Sequence, residues 1–245
     1  MIKVGISGAS GRMGKRIIAI AASSKDLKIV FGLENKDHPL IGKAIDNVKI
    51  SADPECIKDC DCLIDFSAPN ATLEYLSYAV KFNKCMVIGT TGLDEAARNK
   101  IKEAAQSIAI VFSSNMSVGV NVLFKLLKVA AATMKDYQVV INEVHHIHKK
   151  DIPSGTAKTI AEIINQQEFN IKIEDIKSDR YDEIVGDHKV IFENEVDKLQ
   201  LSHSAKTRDI FVQGALLAAG WIVGKSLGLY SMEDILFTPL EDKGL

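Results

Sequence analysis

The chain has 245 residues, long enough to bury a sizeable core without a disulfide or metal to hold it together. Its 30 Lys and Arg against 32 Asp and Glu, a net charge of -2 and 47% hydrophobic residues exclude a disordered chain and a basic surface for nucleic acid. The sequence enters a strand-like run at Ile2 with no signal-type segment before it, and its longest apolar stretch, about half the ~20 residues of a membrane span, is broken by Gly220, so a cytoplasmic protein with no membrane partner is expected.

In chain order, residues 2–7 read as a strand, 12–22 as an amphipathic helix and 27–33 as a second strand. Further strands are predicted at 62–66, 86–88 and 108–112, separated by helices at 71–82 and 94–106. Strands alternating with helices imply a parallel sheet covered on both faces, with right-handed crossovers and the ligand at the carboxyl ends of the strands. The expected fold class is therefore α/β, with a Rossmann-like doubly wound parallel sheet over residues 1–116. Cys56, Cys60 and Cys62 cluster before the strand at 62–66, but they lack paired C-x-x-C spacing and a nearby histidine, so no thiolate metal site is expected; Cys85 reads as a core residue.

Past residue 116 the pattern changes. A long helix at 120–134 is followed by an alternating strand at 137–144 and another alternating stretch at 198–203. Half-buried strands of this kind suit an open mixed sheet, so residues 117–209 are expected to form a second α+β domain. The apolar helix predicted at 209–227 can pack back onto the first domain, which segment 210–245 would then complete.

Between the first strand and helix lies Gly8, Ala9, Ser10, Gly11, Arg12, Met13 and Gly14, a G-x-x-G-x-x-G variant of the dinucleotide fingerprint. Its glycines permit a tight turn and a close backbone approach to a pyrophosphate at the helix N-terminus. Glu34 ends the second strand about twenty residues after the last glycine, where a carboxylate can accept hydrogen bonds from an adenosine ribose. Gly89, Thr90, Thr91 and Gly92 follow the strand at 86–88 and offer a nicotinamide platform, with a simple turn as the alternative.

The most informative segment runs from Glu143 through His145, His146, His148, Lys149 and Pro153 to Ser154, Gly155 and Thr156. In a strand His145 and His146 point to opposite faces, and no H-E-x-x-H helix or facial triad is present, so no metal is expected. Acid–base and anion-binding chemistry fits better. Histidine can supply a proton near neutral pH, lysine can hold an anion, and a Ser-Gly-Thr helix start offers donors to a carboxylate. His145 and Lys149 would stand ~13 Å apart in an unbroken strand at ~3.3 Å per residue, so the chain must bend near His148 for both to reach one small dicarboxylate.

These motifs, with the Ser114–Gly119 stretch and the 185–188 and 202–209 segments, resemble the dihydrodipicolinate reductase family along nearly the whole chain. The resemblance implies a homotetramer of two-domain subunits that passes hydride from NADH and/or NADPH to a cyclic, unsaturated dicarboxylate in lysine and diaminopimelate biosynthesis. It implies His145 as the acid–base residue, Lys149 as a proton donor, and His146, Ser154, Gly155 and Thr156 at the substrate. The cofactor would touch Gly8 to Met13, Glu34, Gly89, Thr90, Thr91, Ser113, Ser114, Asn115 and Met116. Three positions depart from the family pattern: Ile147 stands where a basic residue is frequent, Asn35 where an arginine often meets the 2'-phosphate of NADP, and residues 167–185 are fewer than usual. The alternatives are another Rossmann-type amino- or hydroxy-acid dehydrogenase and a non-catalytic nucleotide-sensing protein, the latter having no need of His145 and Lys149.

Overall fold

The computed structural model describes residues 1–237; the part of the expected completing segment beyond residue 237 lies outside the described residues. The elements run β1 (Ile2–Ser7), α1 (Arg12–Ala21), β2 (Leu27–Leu33), β3 (Ala44–Ile45), β4 (Val48–Ser51), β5 (Cys62–Asp65), α2 (Pro69–Lys81), β6 (Cys85–Ile88), α3 (Glu95–Ala104) and β7 (Ala109–Phe112). They continue as α4 (Val118–Thr133), β8 (Gln138–His145), α5 (Gly155–Asn165), β9 (Lys177–Arg180), β10 (Gly186–Glu193), β11 (Lys198–Ala205), α6 (Asp209–Ile222), β12 (Gly228–Tyr230) and α7 (Met232–Phe237). The chain divides into two compact units, one of Met1–Met116 with the chain from Phe211 onward, the other of Ser117–Ile210.

The first unit is a doubly wound sheet in the order β12-β7-β6-β5-β1-β2-β4-β3, parallel throughout except for the small β3–β4 pair at one edge. Alternation along each central strand divides its apolar residues between two cores. Ile64, Val87 and Val111 join Ile17 and Ile18 of α1 and Val212, Ala215 and Ala219 of α6 on one side. Leu63, Met86 and Ile110 meet Leu76 of α2 and Ile101 of α3 on the other. Each fully buried aliphatic side chain contributes about 1.5–3 kcal/mol, which is what fixes the strand faces. Helix α6 is shorter than the periodicity predicts. It stops at Ile222 because Gly224 takes a positive φ of 86°, and the chain then adds β12 to the sheet edge beside β7.

The second unit carries a mixed sheet in the order β11-β10-β8-β9, antiparallel except for the β8–β9 pair. Leu123 and Leu127 of α4 and Ile160 and Ile164 of α5 cover Ile141, Val190 and Phe192 on one face. Strand β10 is, like β3, β4, β9 and β12, an element that periodicity overlooks. Its inward row is Gly186, His188, Val190 and Phe192, and the glycine and histidine mask an alternation that burial makes plain. Ser117 and Ser154 begin α4 and α5 by accepting from the N–H groups of Val120 and Ala157 at 3.3 and 3.2 Å.

Among the described residues no helix is long and apolar enough to cross a membrane. The four cysteines are free. Burial pushes the Cys56 and Cys60 thiols up to about 12.

Candidate active site

Because β2, β1, β5, β6 and β7 are consecutive parallel neighbours, their carboxyl ends bring the Gly8 turn, Glu34, the Gly89 loop and the Ser113 loop to one edge of the first sheet. Gly8 has φ +71°, and a Cβ there would lie 2.3 Å from the Phe66 carbonyl oxygen. A Cβ on Gly14 would lie 2.2 Å from the Gly8 oxygen, so α1 can approach the turn only with glycine at that position. Helix α1 starts at Gly11 with no side-chain cap bond and no acid in its first turn. A backbone cradle that a side chain would fill, at an uncapped helix start, fits the pyrophosphate of a dinucleotide.

Glu34 faces this turn directly. Its Oε1 accepts from the Ser10 N–H at 2.7 Å and the Ser10 hydroxyl at 2.6 Å. The Ser10 oxygen lies 3.1 Å from His38 Nε2, while His38 Nδ1 accepts from the Leu40 N–H at 3.3 Å, which leaves the proton of the neutral ring on Nε2. Arg12, Asn35 and Lys36 are exposed nearby in sequence.

The wholly buried Asp65 is a group that sequence reading passes over. Its carboxylate accepts from the hydroxyls of Ser7, of Ser67 and Thr72, both at 2.5 Å, and of Thr90 at 2.8 Å. The Thr90 side chain is thus spent on bracing the Gly89 loop against β5. Ser113 Oγ donates to the Asn115 carbonyl at 2.8 Å, and Met116 is buried. Thr91 and Ser114 are exposed.

In the second unit the period of two along β8 puts Glu143 and His145 on one buried face. The register sets His188 of β10 opposite Glu143, and Arg180 of β9 opposite His145. Glu143 Oε2 lies 3.2 Å from His145 Nδ1 and 3.8 Å from His188 Nε2. Oε1 accepts from the Ser154 N–H at 2.9 Å and from both terminal nitrogens of Arg180 at 3.3 Å. Burial opposes ionisation of Glu143, but the His145 ring and the Ser154 donors outweigh it and hold the carboxyl well below its usual range. Burial, with the neighbouring His145, lowers His188 from 6.5 to about 4. Glu143, His145 and His188 place three donor atoms within 4.8 Å of one another, but the Arg180 guanidinium already supplies the countercharge a cation would bring.

Strand β8 ends at His145, and Lys149 N–H donates to the His146 carbonyl at 3.1 Å across a turn at Ile147 and His148. Lys149 Nζ lies 2.8 Å from Asp151 Oδ1. His146 leaves the His145 cluster and meets Arg208 at 3.2 Å; burial and that guanidinium lower its pKa. Ser154 is buried and spends its hydroxyl on capping α5, 3.3 Å from His188 Nε2, whereas Gly155 is exposed at the first helical position. Gly186 lies against the His145 ring, where a Cβ would come within 2.9 Å of Nε2. Of these partners, only Glu143 has a local sequence signal, the i, i+2 spacing to His145.

Fold and sites together define a two-unit oxidoreductase with a dinucleotide-type sheet. Residues 2–116 match the model of the dihydrodipicolinate reductase N-terminus and residues 119–236 that of its C-terminus. The 4-hydroxy-tetrahydrodipicolinate reductases of Syntrophotalea carbinolica and Geotalea daltonii are each 39% identical to this chain over 264 aligned residues, covering 96% of it and 99% of each relative. Dipicolinate-bound dihydrodipicolinate reductase from Paenisporosarcina sp. TG-14 shares the fold with a TM-score of 0.81 at 23% identity, covering 94% of this chain and 97% of that one. The chain belongs to the dihydrodipicolinate reductase family.

Proposed function

We propose that this protein reduces 4-hydroxy-tetrahydrodipicolinate to tetrahydrodipicolinate with NADH or NADPH, a step of lysine and diaminopimelate biosynthesis. The observation that carries this reading is the His145 ring set against an ionised, buried Glu143, one turn of chain before Lys149. In the reaction the ring loses its hydroxyl and one ring hydrogen as water, then gains one hydride and one proton. The nicotinamide, when bound, supplies the hydride.

The chain's own residues supply the rest. The first unit holds the cofactor through the backbone of Gly8 to Met13, through Glu34 at the ribose, and through Gly89 to Thr91 and Ser113 to Met116. The second unit holds the substrate and builds the oligomer. His145 transfers the proton and Lys149, released from Asp151, anchors a carboxylate and can donate a proton in turn. His146, Ser154, Gly155 and Thr156 frame the dicarboxylate, with the α5 start favouring negative charge. Exposed Val118, Val122, Leu126 and Val129 form an apolar stripe on α4 that supports a homotetramer, and four free cysteines support a reducing, cytoplasmic setting.

The test couples the protein to the upstream synthase and follows nicotinamide absorbance with each cofactor. Turnover inhibited competitively by pyridine-2,6-dicarboxylate is expected, with kcat/KM for NADH at least equal to that for NADPH, because Asn35 offers no charge to a 2'-phosphate beside Glu34. Absence of turnover with both cofactors would overturn the assignment. A preference for NADPH above about tenfold would mean that Arg12 and Lys36 form a phosphate site.

A further inference from the structure

We infer that the Glu143–Arg180 ion pair is the positioning element of the second unit, one end fixing the tautomer and basicity of His145 and the other fixing the chain segment that carries Lys149. This rests on the function proposed above and assigns roles to two residues that do not themselves touch substrate.

The two oxygens of Glu143 divide the work. Oε1 is held by the Ser154 N–H and faces Arg180, while Oε2 points at His145. Neither Glu143 Oε2 nor His145 Nδ1 has any hydrogen-bond partner among the described residues, although they lie 3.2 Å apart. With its proton on Nδ1 facing the carboxylate, His145 keeps Nε2 as the nitrogen that takes and gives a proton. Gly186 keeps the strand beside Nε2 free of a side chain.

Arg180 acts on the other partner through carbonyls. Its guanidinium donates to Asp151 O at 2.5 Å, to Asp179 O at 2.8 Å and to Lys149 O at 3.4 Å. Both ends of the segment from Lys149 to Asp151 are thereby tied to the group that neutralises Glu143. A planar five-donor fork can serve a carboxylate and three carbonyls at once, which an ammonium cannot. The charged or titratable groups around His145 are Glu143 on β8, Arg180 on β9, His188 on β10, and His146, Lys149 and Asp151 in the turn; α5 presents the uncharged Ser154. Glu143 is the buried anion of this set, and its Oε2 faces His145 Nδ1 at 3.2 Å.

The test is a histidine-ring NMR titration of the full chain, with His145 assigned from His145→Ala, alongside steady-state kinetics. Glu143→Gln keeps the side-chain volume and an acceptor for Ser154, and the His145 titration is expected to move about one pH unit lower or more. Its kcat should fall about ten- to a hundredfold with KM for NADH unchanged. Glu143→Asp, which keeps the charge but sets it one methylene further from Nδ1, should also lower the titration, by less than Glu143→Gln does. Arg180→Lys, which keeps the charge and loses the fork, should leave the titration in place and raise KM for the dicarboxylate about tenfold. An unmoved His145 titration in folded Glu143→Gln overturns the inference, as does an unchanged substrate KM in Arg180→Lys. If Glu143→Gln fails to fold, Glu143→Asp reads the same titration with the same downward sign, and an unmoved value there is equally decisive against it. The titration needs no turnover, so failure of the proposed reaction and failure of this inference give different results.

Discussion

The Gly8 turn and the His145 cluster both begin where a strand ends, yet one is made of backbone and the other of buried charge. The turn depends on groups that are absent: a Cβ at Gly8 or Gly14 would occupy the space, and α1 opens without a capping side chain. The cluster depends on groups that are present and mutually balanced, with Glu143 ionised between His145, Arg180 and the Ser154 N–H. A backbone cradle has no proton to gain or lose and fails by steric intrusion. A buried charge cluster tolerates changes of shape poorly and responds to pH. The first should therefore be broken by adding atoms, the second by removing charge.

The sharpest break in the second region is His145→Ala. Loss of the proton-transferring ring should lower kcat by about 10²–10⁴-fold, while NADH affinity measured by fluorescence titration stays as in the wild type. Equal losses in turnover and cofactor affinity would erase the division of labour between the units.

Adding one methyl group tests the first region. Gly14→Ala puts a Cβ 2.2 Å from the Gly8 oxygen and 2.5 Å from the Ala9 Cα, both backbone atoms that cannot swing aside. A stability loss of about 1–3 kcal/mol by denaturant melting is expected, together with weakened NADH binding. The His145 titration should be unaffected, and a shifted titration would show that the turn and the cluster are not independent.

The smallest effect sharpens the contrast through pH. His188 is held neutral down to about 4, against 6.5 for a free ring, so below pH 6.5 the unfolded chain binds a proton that the folded chain does not. Stability therefore falls as pH is lowered through the window from 6.5 to about 4, by at most about 1.4 kcal/mol per pH unit from this group. The lowered Glu143 acts with the same sign further into acid, since its native form must be ionised. Melts of wild type and His188→Asn between pH 7 and 5 should show a shallower slope in the variant. Parallel slopes would remove His188 as the source.

Much of the fold was legible because local patterns and tertiary packing agree. The apolar runs at 2–7 and 27–33 coincide with β1 and β2, and the glycine spacing marks a turn in which Gly11 and Gly14 both answer a local steric demand, the nearby Gly8 oxygen. Glu143, His145 and Lys149 are also local, and strand periodicity alone places Glu143 under His145. The structure alone decided which groups complete them. Arg180 and His188 reach the cluster through the register of β9 and β10, and Asp65 gathers the Ser7 hydroxyl from β1 and the Thr90 hydroxyl from the loop after β6, all across separations that carry no periodic signal. It also decided how donors are spent: Ser154 caps α5 instead of standing open, and His146 turns to Arg208. Sequence determines which groups are available within a few residues, because backbone periodicity is local. Their partners and their charges follow from strand register and burial, which exist only once the sheets have formed.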